Sequence, residues 1–191
     1  IMISAILLAA GESKRIPLEN KLIKSFKGKP LINHILKSLI KSKVNRIIIV
    51  LGYEHIKVKK ILLKSTKIIL IRNKNYKKGI SSSIKYGLKK ITKKNKGFMI
   101  THSDMPLIKS SHINKIYVSL LKKNNLVHVM KYKNRIGNPI GFNISVLDKI
   151  KNIKGDIGAK YMVKRLKKNT NFIDVASNKI FKDFDLKKDF N

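Results

Sequence analysis

Short apolar runs alternate with segments of helical period along the chain, and this alternation limits the fold more than any other feature. Residues 3–9 form an almost wholly apolar run, and residues 46–51 form another. Between them, residues 30–41 carry apolar side chains at the spacing of an amphipathic helix. Strands separated by helices pair in parallel, with helices packed on both faces of the sheet. The sequence therefore predicts an α/β fold with a mainly parallel, mixed central sheet.

The same alternation continues towards the C-terminus. We expect further strands over residues 67–72, 98–101, 126–132, 140–144 and 172–175. We expect further helices over residues 54–63, 81–92, 111–123 and 158–167. The tripeptide Gly137-Asn138-Pro139 has the composition of a turn before the strand at 140–144. No repeat or linker divides the chain, so we predict one domain over residues 1–191.

Composition narrows the classes of function. The chain has no cysteine, which excludes thiolate metal sites and a cysteine nucleophile and leaves oxygen or histidine ligands for any metal. The net charge of +34 is typical of nucleic-acid-binding proteins, but it comes from 39 Lys and only 5 Arg. Nucleic-acid interfaces favour arginine for its bidentate contacts, and these lysines are spread along the whole chain. We therefore expect no specific nucleic-acid partner.

The length of the apolar runs also indicates where in the cell the protein works. None is long enough to cross a bilayer, and the N-terminus lacks the pattern of a secretory signal. We expect a cytoplasmic, monomeric protein with no membrane partner.

The loop after the first apolar run has the composition of a phosphate-binding loop. Ala9, Ala10 and Gly11 are small enough for backbone amides to approach an anion, while Arg15 and Lys21 offset its charge. The spacings of a P-loop and of a dinucleotide fingerprint are both missing. A plain turn with one lysine among many is the alternative reading.

A carboxylate follows the run at residues 98–101. Asp104 stands in Ser103-Asp104-Met105-Pro106, where a strand of an open α/β sheet ends and such folds place their chemistry. Asp104 is either a turn cap or a ligand for a hard cation such as Mg²⁺. For His102 we expect the opposite face of the strand and a packing role.

Residues 8–15 with Asn20-Lys21-Leu22 resemble the opening of the molybdenum cofactor nucleotidyltransferases. Similar motifs follow in the same order over essentially the whole chain, at residues 29–31, 51–53, 73–88, 103–106, 137–139, 155–159 and 183–190. The chain departs from the family at Asn138, where the family has His. It departs again at Leu186-Lys187, where the family has Thr-Pro.

The resemblance implies a Rossmann-like, GT-A-like nucleotidyltransferase domain. In such an enzyme the terminal phosphate of an acceptor attacks the α-phosphorus of a nucleotide and expels pyrophosphate, without a protein nucleophile. It implies catalytic roles for Arg15, Lys21 and Asp104. It implies nucleotide contacts from Leu8, Ala9, Ala10, Gly11, Lys21, Asn73, Gly79, Ser82, Ser83 and Asp104. It also implies Mg²⁺, replaceable by Mn²⁺, on Asp104 and Asp183, with Asp185 as the other candidate ligand.

The base is the finest inference that the resemblance allows. The cytosine-using branch of the family tends to carry Leu-Ala-Ala-Gly, as at residues 8–11, where the guanine-using branch carries Leu-Ala-Gly-Gly. The resemblance therefore implies CTP, a molybdopterin-type cofactor as acceptor, and a molybdenum hydroxylase that receives the product. The alternatives are the use of GTP, transfer to a sugar or isoprenoid phosphate, and a cofactor-binding accessory protein without catalysis.

Overall fold

The computed structural model describes residues 2–12 and 20–190. The strands are β1 (Met2–Ala9), β2 (Ser25–Phe26), β3 (Lys29–Pro30), β4 (Arg46–Leu51), β5 (Ile68–Arg72), β6 (Asn95–His102), β7 (Val127–Tyr132), β8 (Arg135–Asn143) and β9 (Thr170–Asp174). The α-helices are α1 (Leu31–Lys41), α2 (His55–Ile61), α3 (Ile80–Leu88), α4 (Ser110–Lys122), α5 (Leu147–Lys151) and α6 (Lys160–Arg165).

Seven of these strands form one sheet in the order β5-β4-β1-β6-β8-β7-β9. β1 lies in the interior and pairs in parallel with both β4 and β6. β4 pairs in parallel with β5, and β7 with β9. β8 runs antiparallel to both of its neighbours, β6 and β7. The prediction of a mainly parallel, mixed α/β sheet is therefore confirmed.

Alternate residues of β1 face the two layers of the core, as the two-residue period of a strand requires. Ile3, Ala5 and Leu7 pack with apolar side chains of α1 and α4 on one face. Ile6 and Leu8 pack with α3 and α6 on the other face. Helices on both faces bury β1 almost completely, which explains why its sequence is a continuous apolar run.

The prediction of a turn at residues 137–139 is wrong. These residues lie within β8, and the chain reverses earlier, next to Lys133, which has a positive φ of 49°. The ring of Phe181 packs directly on Gly137, where a Cβ atom would lie 2.0 Å from Phe181 Cδ1. The glycine therefore accommodates a long-range contact, and burial of Asn138 and Pro139 outweighs their local preference for a turn.

The short elements also differ from expectation. The two-residue strands β2 and β3 pair as a small antiparallel hairpin, and α5 follows β8; neither had a periodic pattern long enough to predict it. α2 ends at Ile61, two residues before the predicted boundary. Among the described residues, no helix has the length and hydrophobicity needed to cross a membrane.

Candidate active site

A cleft of about 740 Å³ opens at the carboxyl ends of β1 and β6. It is lined by Leu8, Ala10, Gly11, Glu12, Lys21, Leu22, Tyr76, Lys77, Lys78, Gly79, Ile80, Ser83, His102, Ser103, Asp104 and Asp156. Open α/β sheets bind ligands at this edge, because loops from several parallel strands meet there. A cleft of this size accommodates a small-molecule ligand such as a nucleotide.

The loop after β1 forms one side of the cleft. Ala10 is buried, and its carbonyl oxygen accepts a hydrogen bond from Tyr53 N at 3.1 Å, which fastens the loop to the end of β4. Gly11 is exposed to the cleft. Residues 13–19 lie outside the described residues, so the structure does not test the predicted role of Arg15.

Lys21 lies between two carboxylates. Its Nζ is 2.5 Å from Asp104 Oδ2 and 2.5 Å from Asp185 Oδ1. Burial disfavours the charge of Lys21, but its pairing with Asp104 and Asp185 outweighs this effect and raises the pKa above its usual value. Lys21 therefore stays protonated and holds the C-terminal segment against the loop that follows β6.

Asp104 has one carboxylate oxygen with no hydrogen-bond partner. Its Oδ1 is buried and contacts no donor within the part of the chain that the structure describes. A buried carboxylate oxygen without a partner is costly, unless a ligand or a cation satisfies it. Asp104 lines the cleft, and a carboxylate oxygen of this kind is suited to bind a metal ion.

Asp183 adds a third carboxylate to this region. Withdrawal from solvent and repulsion by Asp104 raise its pKa, and the nearby His102 and Lys160 only partly offset this. Asp104 and Asp183 therefore repel each other in this part of the site. A divalent cation would relieve this repulsion, so the donor set fits a hard metal ion.

The protein alone does not supply a full coordination shell. Within residues 2–12 and 20–190, no group of three or more acidic or histidine side chains is arranged to hold a metal ion. Mg²⁺ is commonly bound by only one or two carboxylates and completes its octahedral shell with water and substrate phosphates. The arrangement therefore fits an ion that binds together with a nucleotide.

The opposite side of the cleft is built on the start of α3. Asn73 is fully buried, and its side-chain amide donates to Ser82 Oγ at 3.2 Å and to Ser83 Oγ at 3.0 Å. Asp156 Oδ1 accepts a hydrogen bond from Ile80 N at 3.2 Å, which joins the loop before α6 to this helix. The two contacts together hold the first turn of α3 in place at the cleft.

The structure brings most of the predicted site residues to the cleft. Leu8, Ala10, Gly11, Lys21, Gly79, Ser83 and Asp104 line it. Four predicted residues do not line the cleft, namely Ala9, Asn73, Ser82 and Asp183. Ala9 is buried in the sheet, and Asn73 is buried and bonded to Ser82 and Ser83. Asp183 is close enough to Asp104 for the two carboxylates to repel each other.

The expectation that His102 faces away from the site is wrong. His102 lines the cleft, because it pairs in register with Leu8 of β1 and so shares a face with it. Sequence reasoning also missed eight further lining residues, which are Glu12, Tyr76, Lys77, Lys78, Leu22, Ile80, Ser103 and Asp156. The first four follow β1 or precede Gly79 in the motifs, so their proximity to those motifs was the available signal.

The comparison with known families decides the assignment of the chain. Residues 5–170 match the MobA-like NTP transferase domain. The chain belongs to this family. The MobA-like family is a family of NTP transferases, and the fold and cleft of this chain agree with that class.

The chain is also similar to individual proteins, in sequence to one and in fold to others. Over 154 residues the chain is 29% identical to the bifunctional protein GlmU of Clostridioides difficile strain 630. This alignment covers 80% of the chain but only 31% of GlmU. Rv0371c of Mycobacterium tuberculosis superposes with a TM-score of 0.85 and 18% identity, over 99% of this chain and 95% of that chain. The nucleotidyl transferase Mth528 of Methanothermobacter superposes with a TM-score of 0.82 and 19% identity, over 99% and 94%.

One of the similar solved structures contains a metal ion. Rv0371c is also known in complex with manganese, and that structure superposes with a TM-score of 0.76 and 18% identity, over 92% of this chain and 89% of that chain.

Proposed function

We propose that the protein transfers CMP from CTP to the terminal phosphate of a molybdopterin-type cofactor, with Mg²⁺ as the metal, and releases pyrophosphate. The observation that carries the proposal is the buried Asp104 Oδ1. It has no partner within the described residues, and Asp104 lines the cleft at the carboxyl edge of the sheet, where its Oδ2 pairs with Lys21. In this proposal residues 1–191 form a single domain, and a molybdenum hydroxylase receives the product.

Asp104 and Asp183 would hold the metal, with Mn²⁺ as a possible replacement for Mg²⁺. When bound, such an ion neutralises phosphate charge and polarises the α-phosphorus. Asp183 is our first choice for the second ligand, and Asp185, which pairs with Lys21 at 2.5 Å, is the other candidate. Withdrawal from solvent and repulsion by Asp104 raise the pKa of Asp183, and a bound cation would relieve this repulsion.

Lys21 and the loop after β1 bind the phosphates. The ammonium of Lys21 is protonated and belongs to the cleft lining, so we assign it to the phosphates of the nucleotide. Its charge, with that of Arg15, stabilises the triphosphate and the departing pyrophosphate. Backbone amides of Ala10 and Gly11 approach the anion, because neither residue has a bulky side chain.

The chemical step needs positioning rather than a protein nucleophile. A terminal phosphate oxygen of the acceptor forms a bond to the α-phosphorus, and the bond from that phosphorus to the bridging oxygen of pyrophosphate breaks. Ser83 lines the cleft and Ser82 adjoins it, so we assign them to the base or ribose. Asn73 acts through these two hydroxyls.

The base assignment rests on Ala10. Ala10 is buried at the floor of the cleft and is held by the hydrogen bond from Tyr53 N. We assign the preference for a single-ring pyrimidine over a purine to the methyl group at this position. One methyl group contributes only about 1–3 kcal/mol of discrimination, so we expect some activity with other nucleotides.

The test is pyrophosphate release with CTP, GTP, ATP or UTP, each with Mg²⁺ and with molybdopterin or a sugar phosphate as acceptor. We expect the highest kcat/KM with CTP and molybdopterin. The Asp104→Ala variant should fold and lose activity by a factor of about 10³ or more. The matched control is Asp148→Ala, which removes an exposed carboxylate on α5 that pairs with Lys151.

The outcomes separate the parts of the proposal. Mg²⁺-dependent activity retained in Asp104→Ala would exclude the assigned site. A higher kcat/KM for GTP would refute the pyrimidine assignment but keep the transferase reaction. Faster transfer to a sugar phosphate would refute the acceptor, and nucleotide binding without pyrophosphate release would favour an accessory binding protein.

A further inference from the structure

The C-terminal segment is tied to the catalytic edge through its backbone. Phe184 N donates a hydrogen bond to the carbonyl oxygen of Asp104 at 2.9 Å. The buried ring of Phe184 packs edge-on against Phe26, with 4.7 Å between ring centroids, and against Phe190, with 5.8 Å. This anchor lies between Asp183 and Asp185 in the sequence, so it brings both carboxylates close to Asp104.

A fourth carboxylate, Asp189, closes the turn that follows this anchor. Its Oδ2 accepts hydrogen bonds from Asp185 N at 3.0 Å and from Leu186 N at 2.8 Å. Its Oδ1 pairs with Lys182 Nζ at 3.0 Å. Burial alone would raise the pKa of Asp189, but the hydrogen bonds from Leu186, Lys182 and Asp185 outweigh it and lower the pKa.

The turn at residues 185–189 lacks two local constraints on its backbone. Leu186-Lys187 stand where the resembled family has Thr-Pro. This turn therefore has neither a proline ring to fix the backbone nor a threonine hydroxyl to bind it. The two amide bonds to Asp189 supply a constraint at this position, and the carboxylate that makes them is only 8% exposed.

We propose that Asp189 is a positioning residue: its buried carboxylate holds the turn at residues 185–189 and thereby sets Asp183 and Asp185 against Asp104 and Lys21. The effect on metal and nucleotide rests on the function proposed above, whereas the effect on the turn does not. Groups that orient metal ligands from behind typically change metal affinity or activity by about 10–100-fold when they are removed.

The variants are Asp189→Ala, which removes both acceptors, and Asp189→Asn, which keeps one oxygen acceptor but loses the charge. Asp148→Ala serves as the control for loss of an acidic side chain. Hydrogen exchange of the Asp185 and Leu186 amides measures the turn directly. Binding of Mn²⁺ in the presence of CTP, followed by water-proton relaxation, measures the site without turnover, and steady-state kinetics give kcat and KM.

In Asp189→Ala we expect the Asp185 and Leu186 amides to exchange at least about tenfold faster, because each loses its acceptor. The Mn²⁺ dissociation constant should rise, and kcat should fall, by about 10–100-fold. The amides of β1 should exchange as in the wild type. Asp189→Asn should lie between the wild type and the Ala variant, and Asp148→Ala should match the wild type.

If β1 stays protected in Asp189→Ala, either of two results would overturn the inference. One is exchange of the two amides in Asp189→Ala within twofold of the wild type. The other is faster exchange with unchanged Mn²⁺ affinity and kcat. If Asp189→Ala also exposes β1 to exchange, Asp189→Asn decides, and wild-type behaviour of that variant overturns the inference. A wild-type protein that binds no Mn²⁺ with CTP and releases no pyrophosphate refutes the proposed function instead, while amide exchange still decides the role of Asp189.

Discussion

Gly79 offers a sharp test of how the cleft is built. It precedes α3 with φ of 93° and ψ of 174°, a backbone conformation that essentially only glycine adopts. A Cβ atom at this position would lie 2.7 Å from the carbonyl oxygen of Gly155 and 2.9 Å from its carbonyl carbon. Both atoms belong to the backbone, so the clash cannot be relieved by a side-chain rotation. The substitution Gly79→Ala must therefore separate α3 from the loop before α6.

The expected cost follows from these two effects. A residue held in a sparsely populated backbone region costs about 1–3 kcal/mol, and the clash with Gly155 adds to it. We expect the free energy of unfolding to fall by about 3 kcal/mol, near the upper end of the range for backbone strain alone. For a chain of this size each kcal/mol lowers Tm by about 2–4 °C, so Tm should fall by about 6–12 °C.

Nucleotide binding should weaken in the same variant. Ser81 N donates to the carbonyl oxygen of Gly155 at 3.3 Å, and Ile80 N donates to Asp156 Oδ1. Separation of the two segments breaks both bonds at the wall of the cleft. We therefore expect a higher KM for the nucleotide in addition to the lower Tm.

Urea unfolding, thermal melting and nucleotide titration measure these effects, with Gly28→Ala as the matched control. Gly28 also has a positive φ, 75°, in the β2–β3 turn, but a Cβ atom there would meet nothing within 4 Å. The control should lose only about 1–2 kcal/mol through backbone strain and bind nucleotide normally. Equal losses of stability and equal KM values in the two variants would refute the reasoning about Gly155.

Three further predictions follow from the site and the core. Lys21→Met should lower the free energy of unfolding of the metal-free protein by about 1–3 kcal/mol, because it leaves Asp104 and Asp185 without this cation. Mn²⁺ should then raise the Tm of this variant more than the Tm of the wild type, and equal increases in Tm would contradict the prediction. Ala10→Gly should raise the ratio of kcat/KM for GTP to that for CTP by about tenfold, and an unchanged ratio would exclude the methyl group as the determinant of base choice. Burial lowers the pKa of His128, which is neutral in the folded state and bonded to Ser119 and Asn125. The contribution of neutral His128 to the free energy of unfolding is therefore fully present above pH 6.5, and it is lost as the pH falls through the folded-state pKa. Urea unfolding between pH 7 and 5 should show a smaller loss in His128→Gln than in the wild type, and parallel curves would show that other groups cause the loss.

Local patterns were sufficient to predict the framework of the fold. The apolar run of β1 and the helical spacing of α1 depend only on residues near one another, because strand and helix periods repeat within a few positions. Once these elements were placed, the phosphate loop at Ala10 and Gly11 and the position of Asp104 at a strand end followed from the general rule for open α/β sheets. The structure places all three residues in one cleft.

Features that depend on distant residues were decided by tertiary structure alone. Lys21 pairs with Asp104 across 83 positions and with Asp185 across 164, and no local pattern encodes either distance. The same holds for Gly137, whose lack of a side chain makes room for the ring of Phe181, 44 positions away.

The sequence by itself determined the order of the elements, the family motifs and the kinds of residue available to the site. The tertiary structure decided that Lys21 pairs with both Asp104 and Asp185 and that His102 lines the cleft in register with Leu8. It also decided that the side chain of Asn73 binds Ser82 and Ser83. These outcomes depend on strand register and on the burial of polar groups. Both are set when the whole sheet assembles, because a polar side chain finds its partner only after the elements on either side have packed.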